Sequence, residues 1–424
     1  MMRPTFWATW MTLGVISLGL SCAEKSASEV ERFFPESFDI SIENTASLAR
    51  VDQAVALDIT GIQTKYPGFN SDAFAVVAGD HELPSQAVDL NGDRQPDQII
   101  FVADFTAQEE KTVTVRYASS GKIKREYPKR TQAELSHKVG GQFVDRKYEG
   151  GTFQNVSALR VPAEHTDHSL FIRYEGPGWE SDKVGYRFYL DWRNATDIFG
   201  KKVPKMVLQN VGLDGFDSYH EMSDWGMDIL KVGESLGIGS LGMWDGEKAV
   251  RVAQTDSITC TIAANGPVYS QIRTQYDGWE IGGKQYDLTS NLSITAGGRL
   301  TRHGIEISGN PENLCTGIVK HPDAKLLTKT GLENGWSYLA TYGKQSLAED
   351  NLGMAVLYRT PDLMEVQEDS QSHVVVLNPT GGKLTYYFLA AWEKEPGGIQ
   401  NEAQFVQYLE NVVAELNSPL KIRL

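Results

Sequence analysis

The sequence predicts an all-β protein, a small β-sandwich followed by a large antiparallel β-sandwich. Three observations carry that prediction. Short alternating or apolar segments recur at 38–42, 98–103, 111–117, 170–174, 186–191, 269–275 and 385–391. They are rich in β-branched and aromatic residues and separated by Gly, Asn and Asp, the pattern of strands and turns. A helical period is convincing only near the end, over 402–416, where Phe405, Leu409, Val412, Val413 and Leu416 share a face and Asn401 is placed to cap. Finally, the charged run KIKREYPKR at 122–130 reads as a connecting segment. The expected organisation is a leader over 1–22, a small β-sandwich over 23–130 and a large one over 131–424. A chain of 424 residues, 41% hydrophobic, can fill one large core or two unequal ones.

The leader is the first element in order. Arg3 precedes an apolar run from Phe6 to Leu20, too short for a comfortable membrane span but suited to a signal peptide. Its ending, Leu18-Gly19-Leu20-Ser21-Cys22, is similar to a bacterial lipoprotein cleavage site, with Cys22 as the lipidated residue. Gly19 departs from the usual aliphatic choice, and an ordinary secretory signal is the alternative. Either reading exports the protein, to the periplasm or to the outer membrane on a lipid anchor.

The net charge of −15 repels nucleic acid and anionic membranes, so membrane association is expected through the lipid alone. Acidic sugars remain acceptable partners, because a local arginine can hold a carboxylate or sulfate on an acidic protein. After the leader only Cys260 and Cys315 remain, either as one disulfide or as two buried thiols.

Within the small domain, Asp89-Leu-Asn-Gly-Asp-Arg-Gln-Pro-Asp97 alternates the oxygen-bearing side chains Asp89, Asn91, Asp93 and Asp97 as calcium loops do. Arg94 stands where such loops usually have glycine, and no bidentate glutamate follows. A structural calcium and an ion-free acidic turn are both open, and no other cofactor is called for.

In the large domain, the stretch YHEMSDWGMDILKVGESLGIG (219–239) concentrates Tyr219, His220, Asp224, Trp225, Asp228 and Lys231 among four glycines. Unpaired charges are costly to bury and glycines disfavour a helix, so this is a polar surface loop or a functional one. The strand at 184–193 places Arg187, Tyr189, Asp191 and Arg193 on one side by its period of two. That side is either a sugar-binding floor or a solvated face. Trp179, in the preceding GPGWESD loop, could stack on a sugar ring or cover a core edge. Arg273 alternates with Ile272 and points away from the core. His321 follows a strand end before a proline turn, while His303 reads as a satisfied sheet histidine. His165 and His168 have a spacing that zinc could use on a helix, but the surrounding residues favour a polar turn.

The segments YHEMSDWGMDILKVGESLGIGS, GPVYSQIRTQYDGW, YDLTSNLSITAGGRLTRHGIEI, TGIVKH, YYFLAAWEKEPGGI and VDLNGDRQPDQIIFVADF resemble the domain of unknown function 4861 family along nearly the whole mature chain. The resemblance implies a large domain of the galactose-mutarotase-like super-sandwich type and an exported protein of polysaccharide degradation. One member is similar to a dehydratase acting on glucuronate-ended oligosaccharides of ulvan. This implies a carbon–oxygen lyase that eliminates water from the non-reducing-end uronate of an acidic, sulfated or unsulfated, oligosaccharide and leaves a 4,5-unsaturated end. That chemistry needs a base for the C5 proton, a cation against the carboxylate and an acid for the 4-hydroxyl. From residue type and strand phase, Tyr219 and His220 with Lys231 would move protons and His321 would be the other acid–base group. Arg187 would clamp the carboxylate, Tyr189 and Arg273 would meet the sugar, and Trp179 or Trp225 would stack on its ring. A glycan-binding lipoprotein without catalysis, and a hydrolase or epimerase using Glu175, Glu180, Asp224 or Asp228, are the alternatives.

Overall fold

The computed structural model describes residues 27–424; Cys22 and the leader lie outside the described residues. Among the described residues the fold is almost entirely antiparallel β. Strand Glu36–Glu43 buries alternate residues, so Phe38, Ile40 and Ile42 face a core shared with Val55, Leu57, Phe101 and Val113. A five-stranded sheet and the three-stranded sheet Arg50–Asp58, Gln98–Phe105, Ser85–Val88 enclose this first core. The chain's last strand, Lys421–Arg423, pairs with Glu36–Glu43 (Ile42 opposite Ile422), so the C-terminus leaves the large unit and completes the first sandwich. Sequence separation hid that pairing.

The large unit packs a nine-stranded sheet against two five-stranded ones, and a further hairpin pairs Ser136–Val144 with Lys147–Asn155. Helix Glu402–Asn417 forms where the period predicts, with Asn401 accepting the Gln404 amide at 2.9 Å. Its buried Phe405, Leu409, Val412 and Val413 pack on Tyr338, Leu357 and Leu389 of the nine-stranded sheet. Each such burial contributes about 1.5–3 kcal/mol.

The segment 122–130 has no regular secondary structure, yet it is tied at both ends. Arg125 forks onto Glu82, and Arg130 bonds Asp52 of the first sandwich and Asp182 of the large unit. Cys260 and Cys315 are free thiols buried in different sheets, and burial raises both, Cys260 to about 12.

Two strand expectations need correction. Residues 170–174 do not form a strand. Leu170, Tyr174 and Glu175 take left-handed φ values of 60°, 37° and 70°, and a 3-10 turn covers Arg173–Glu175. Each left-handed non-glycine residue costs roughly 1–2 kcal/mol and persists only when its surroundings hold it. Here Arg173 donates to Gln209 O and Glu134, and Tyr174 donates to Glu134. The strand expected over 186–191 starts at Val184 but stops at Phe188, after which the chain turns.

Candidate active site

The site begins with the two faces of one five-stranded sheet, built from Thr131–Glu134, Gly178–Ser181, Val184–Phe188, Thr196–Lys201 and Gly226–Asp228. Its inner face carries Trp179, Tyr186 and Ile198 into the main core. On the other face Glu134, Gly178, Arg187 and Asp197 stand directly opposite one another across four strands. Gly178 is needed in that row, because a Cβ there would lie 2.8 Å from the Tyr174 hydroxyl. This polar face is neither a solvated surface nor an open sugar floor. Val207, Leu208, Val211 and Tyr219, from the segment that crosses over it, pack on Phe199 and Tyr174 and bury it.

Arg187, 2% exposed, is the centre of the buried charge. It donates to Asp197 Oδ2 (3.1 and 2.8 Å), to Asp228 Oδ2 and to the Tyr219 hydroxyl at 3.0 Å. Tyr189 also donates to Asp197. Arg187 therefore spends its donors on protein groups. It organises the cluster rather than clamping a substrate carboxylate, which corrects the role expected from strand phase.

His220 follows Tyr219 in a short 3-10 turn and is the partly solvated member of the cluster, its side chain 31% exposed. Its Nδ1 lies 2.9 Å from Phe216 O. A carbonyl only accepts, so the ring proton is assigned to Nδ1, leaving Nε2 as an acceptor 3.4 Å from Asp228 Oδ2. Burial and then the Arg187 charge lower the His220 pKa, while burial and then Asp197 raise Asp228 well above the carboxylate range. Both directions favour a neutral acid beside a neutral imidazole. A neutral imidazole of this kind can accept a proton at Nε2.

Sequence reasoning gave no role to Asp197, placed Arg193 only on a face read as a sugar floor or solvated surface, and named Asp228 within the 219–239 stretch and, with Glu175, as a carboxylate for a hydrolase. Glu175 joins the cluster through Arg187, 3.8 Å away, and Arg193, 2.9 Å away. Burial would raise its carboxyl, but the two guanidiniums outweigh burial and hold it below the usual range. Asp167, His168 and Glu175 offer three metal-ligand atoms within 4.8 Å of one another. The Arg193 fork, however, already sits on Asp167 and Glu175 at 2.9 Å each and supplies the cation there. The alternation Arg187, Tyr189, Asp191, Arg193 was the signal for half of this cluster; nothing local marked Asp197.

Beside the cluster opens a cavity of about 460 Å³ lined in part by Lys138, Thr152, Phe153, Glu175, Phe216 and Tyr219. The His220 ring packs on Phe216 and Tyr219, 4.7 and 4.6 Å between centroids. Lys138 is the only cationic side chain among the described lining residues.

Other expected site residues lie elsewhere. Lys231 is exposed, beyond the strand that ends at Asp228. His321 sits on the turn between Leu314–Val319 and Ala324–Lys329, accepting the Asp323 amide, with no contact to the cluster. Trp179 is in a strand, fully buried, stacked on Tyr186 and bonded to Thr301 Oγ1 at 2.8 Å, so it is core rather than a platform. Trp225 packs edge-on to Phe199 at the rim of the covering segment. Buried His165 and His303 bond Ser169 and Ser290.

Arg273 reaches the first sandwich, where it donates to Leu90 O and to Asn91 O (2.8 Å). The loop it grips is the calcium candidate. There Asp89 accepts the Gly92 and Arg94 amides, Asn91 that of Asp93, Asp93 that of Gln95, and Asp97 those of Leu90 and Asn91. The side-chain oxygens are satisfied by the loop's own amides, and a guanidinium occupies two of its carbonyls. This donor set fits an acidic turn better than a calcium cage.

A family model described as a domain of unknown function (DUF4861) matches residues 42–422, and the chain belongs to that family. No curated protein matches it. Among solved structures, an alpha-mannosidase from Enterococcus faecalis V583 is similar over 93% of this chain and 46% of its own, at 10% identity and a TM-score of 0.40. A glycosyl hydrolase family 38 protein from Enterococcus faecalis is similar over 93% and 48%, at 9% identity and 0.40. The chain thus spans about half the length of each.

Proposed function

We propose that this family member is an exported, lipid-anchored enzyme that eliminates water from the terminal uronate of an acidic oligosaccharide. The observation that carries the proposal is His220, a partly solvated imidazole whose burial and neighbouring Arg187 favour the neutral form, with Nε2 3.4 Å from Asp228 Oδ2. In the reaction the C5 proton passes to a base, the C5 electron pair forms the C4–C5 double bond, and the 4-hydroxyl departs with a proton as water. His220 serves proton transfer, held by the Phe216 carbonyl and by Asp228. Lys138 on the cavity wall supplies positive charge against the substrate carboxylate, the role Arg187 cannot fill. Arg187 positions Tyr219 and Asp228.

The test is incubation of the mature protein with saturated glucuronate-ended oligosaccharides. New ultraviolet absorbance of a conjugated enol-ether acid, together with the mass loss of one water, is expected. Binding without either signal would reduce the protein to a glycan-binding module. Labelling with a radioactive fatty acid should tag the wild type and not Cys22→Ala.

A further inference from the structure

A second cavity, about 1100 Å³, touches the tip of the hairpin whose open end borders the first. Phe143, Asp145 and Arg146 of the hairpin line it, whereas Lys138, Thr152 and Phe153 line the smaller one. Its wall includes Trp192, which strand phase would have turned inward but which follows the strand's early end and stays 43% exposed. The Arg251 guanidinium lies 5.4 Å from the Trp192 ring centroid and is itself bonded to Ser235 O at 3.2 Å. Asp191, 5% exposed, lines the same cleft and is pinned by Arg193, which continues to Glu175 of the candidate site. An exposed aromatic face beside a held carboxylate is the chemistry that receives sugar rings: apolar C–H faces stack and hydroxyls donate.

Charge selects among sugars. Asp145, Glu164, Asp256 and Glu280 line the cleft against Arg146 and Arg160, with Arg251 over the Trp192 ring, and Asp191 is already paired. The excess of carboxylates repels sulfate and uronate but accepts hydroxyl protons. We propose that this cleft is a second saccharide site, distinct from the smaller cavity lined by Lys138, Glu175 and Tyr219, that binds an uncharged, hydroxyl-rich sugar stacked on Trp192. The inference rests on the reading of the protein as carbohydrate-active. It places a neutral sugar of the same oligosaccharide, or of a neighbouring chain, at the hairpin tip, with the acidic end at its open end.

The test is calorimetric titration of the mature protein with cellobiose, xylobiose and L-rhamnose, and with glucuronate as the anionic probe. At least one neutral probe should bind with an affinity unchanged between low and high salt. Trp192→Ala should weaken that binding at least tenfold while circular dichroism and melting stay as in the wild type, and His220→Ala should leave it unchanged. Glu164→Gln combined with Glu280→Gln should improve glucuronate binding at this cleft. Neutral probes that fail to bind the wild type, or that bind Trp192→Ala equally well, overturn the proposal. Trp192-dependent binding in a protein that never eliminates water would uphold it while the dehydratase reading fell.

Discussion

The two faces of the five-stranded sheet are equally shut away from water, yet different physics holds them. On the inner face Trp179 and Tyr186 stack at 5.5 Å and pack against Phe388. Their stability grows with area and tolerates approximate partners. On the outer face Arg187, Asp197 and Asp228 are at most 2% exposed, and each is tolerable only because the others are present. A stability-neutral replacement would be apolar residues of similar volume, so the ionic face is hard to explain by stability. It is the arrangement expected where a protein maintains a particular protonation state, here that of His220.

The largest expected effect tests that purpose. His220→Ala should lower turnover on a confirmed substrate by about 10²–10⁴-fold with little change in melting temperature, the range for a lost general acid or base. Unchanged kinetics would strip the ionic face of its catalytic meaning.

Next in size are truncations on either face. Trp179→Ala should cost roughly 3–5 kcal/mol through an apolar cavity, independent of pH. Arg187→Ala should cost a similar 3–5 kcal/mol by leaving buried carboxyls without their cation. That cost should grow as pH rises and Asp228 is driven to ionise. Denaturant unfolding across pH separates the two; parallel curves would show that the faces do not differ as argued.

A smaller, signed effect comes from Asp228. Its folded pKa is raised, so the folded state keeps a proton that the unfolded chain releases above the ordinary aspartate value. The resulting stability is complete below that ordinary value and is lost as pH rises toward the folded one. Asp228→Asn mimics the protonated acid and should flatten the decline, measured by unfolding between about pH 4 and 8. A steeper decline in Asp228→Asn would reverse the assignment.

The inner face was legible in the sequence and the outer face only half so. Period-two patterning places Tyr186 and Arg187 on opposite sides, because phase is local. It cannot say that residues 202–225 fold over Arg187, nor that Asp197 and Asp228 converge on it from two other strands. Trp179 misled because glycines suggested a loop, when Gly178 instead makes room for Tyr174 inside a strand. His321 and Lys231 were chosen by residue type, and type is blind to the three-dimensional separation of loops. The helix and its Asn401 cap were readable because every determinant lies within one stretch.

The smallest effect concerns the acidic loop at Asp89–Asp97, a charged region that differs from the sheet face in being exposed and self-capped. Its oxygens accept neighbouring amides, and Arg273 brings a cation from the large unit against Leu90 O and Asn91 O. Adding calcium or a chelator should therefore leave the melting temperature nearly unchanged, since an ion would compete with bonds already made. Arg273→Ala should cost about 1–3 kcal/mol, because two carbonyls lose a charged donor at the junction of the units. Turnover should not follow, as no contact joins Arg273 to the His220 cluster. A calcium-dependent rise of several degrees in the wild type would make the loop an ion site after all. The same rise appearing only in Arg273→Ala would show that the guanidinium stands where calcium could.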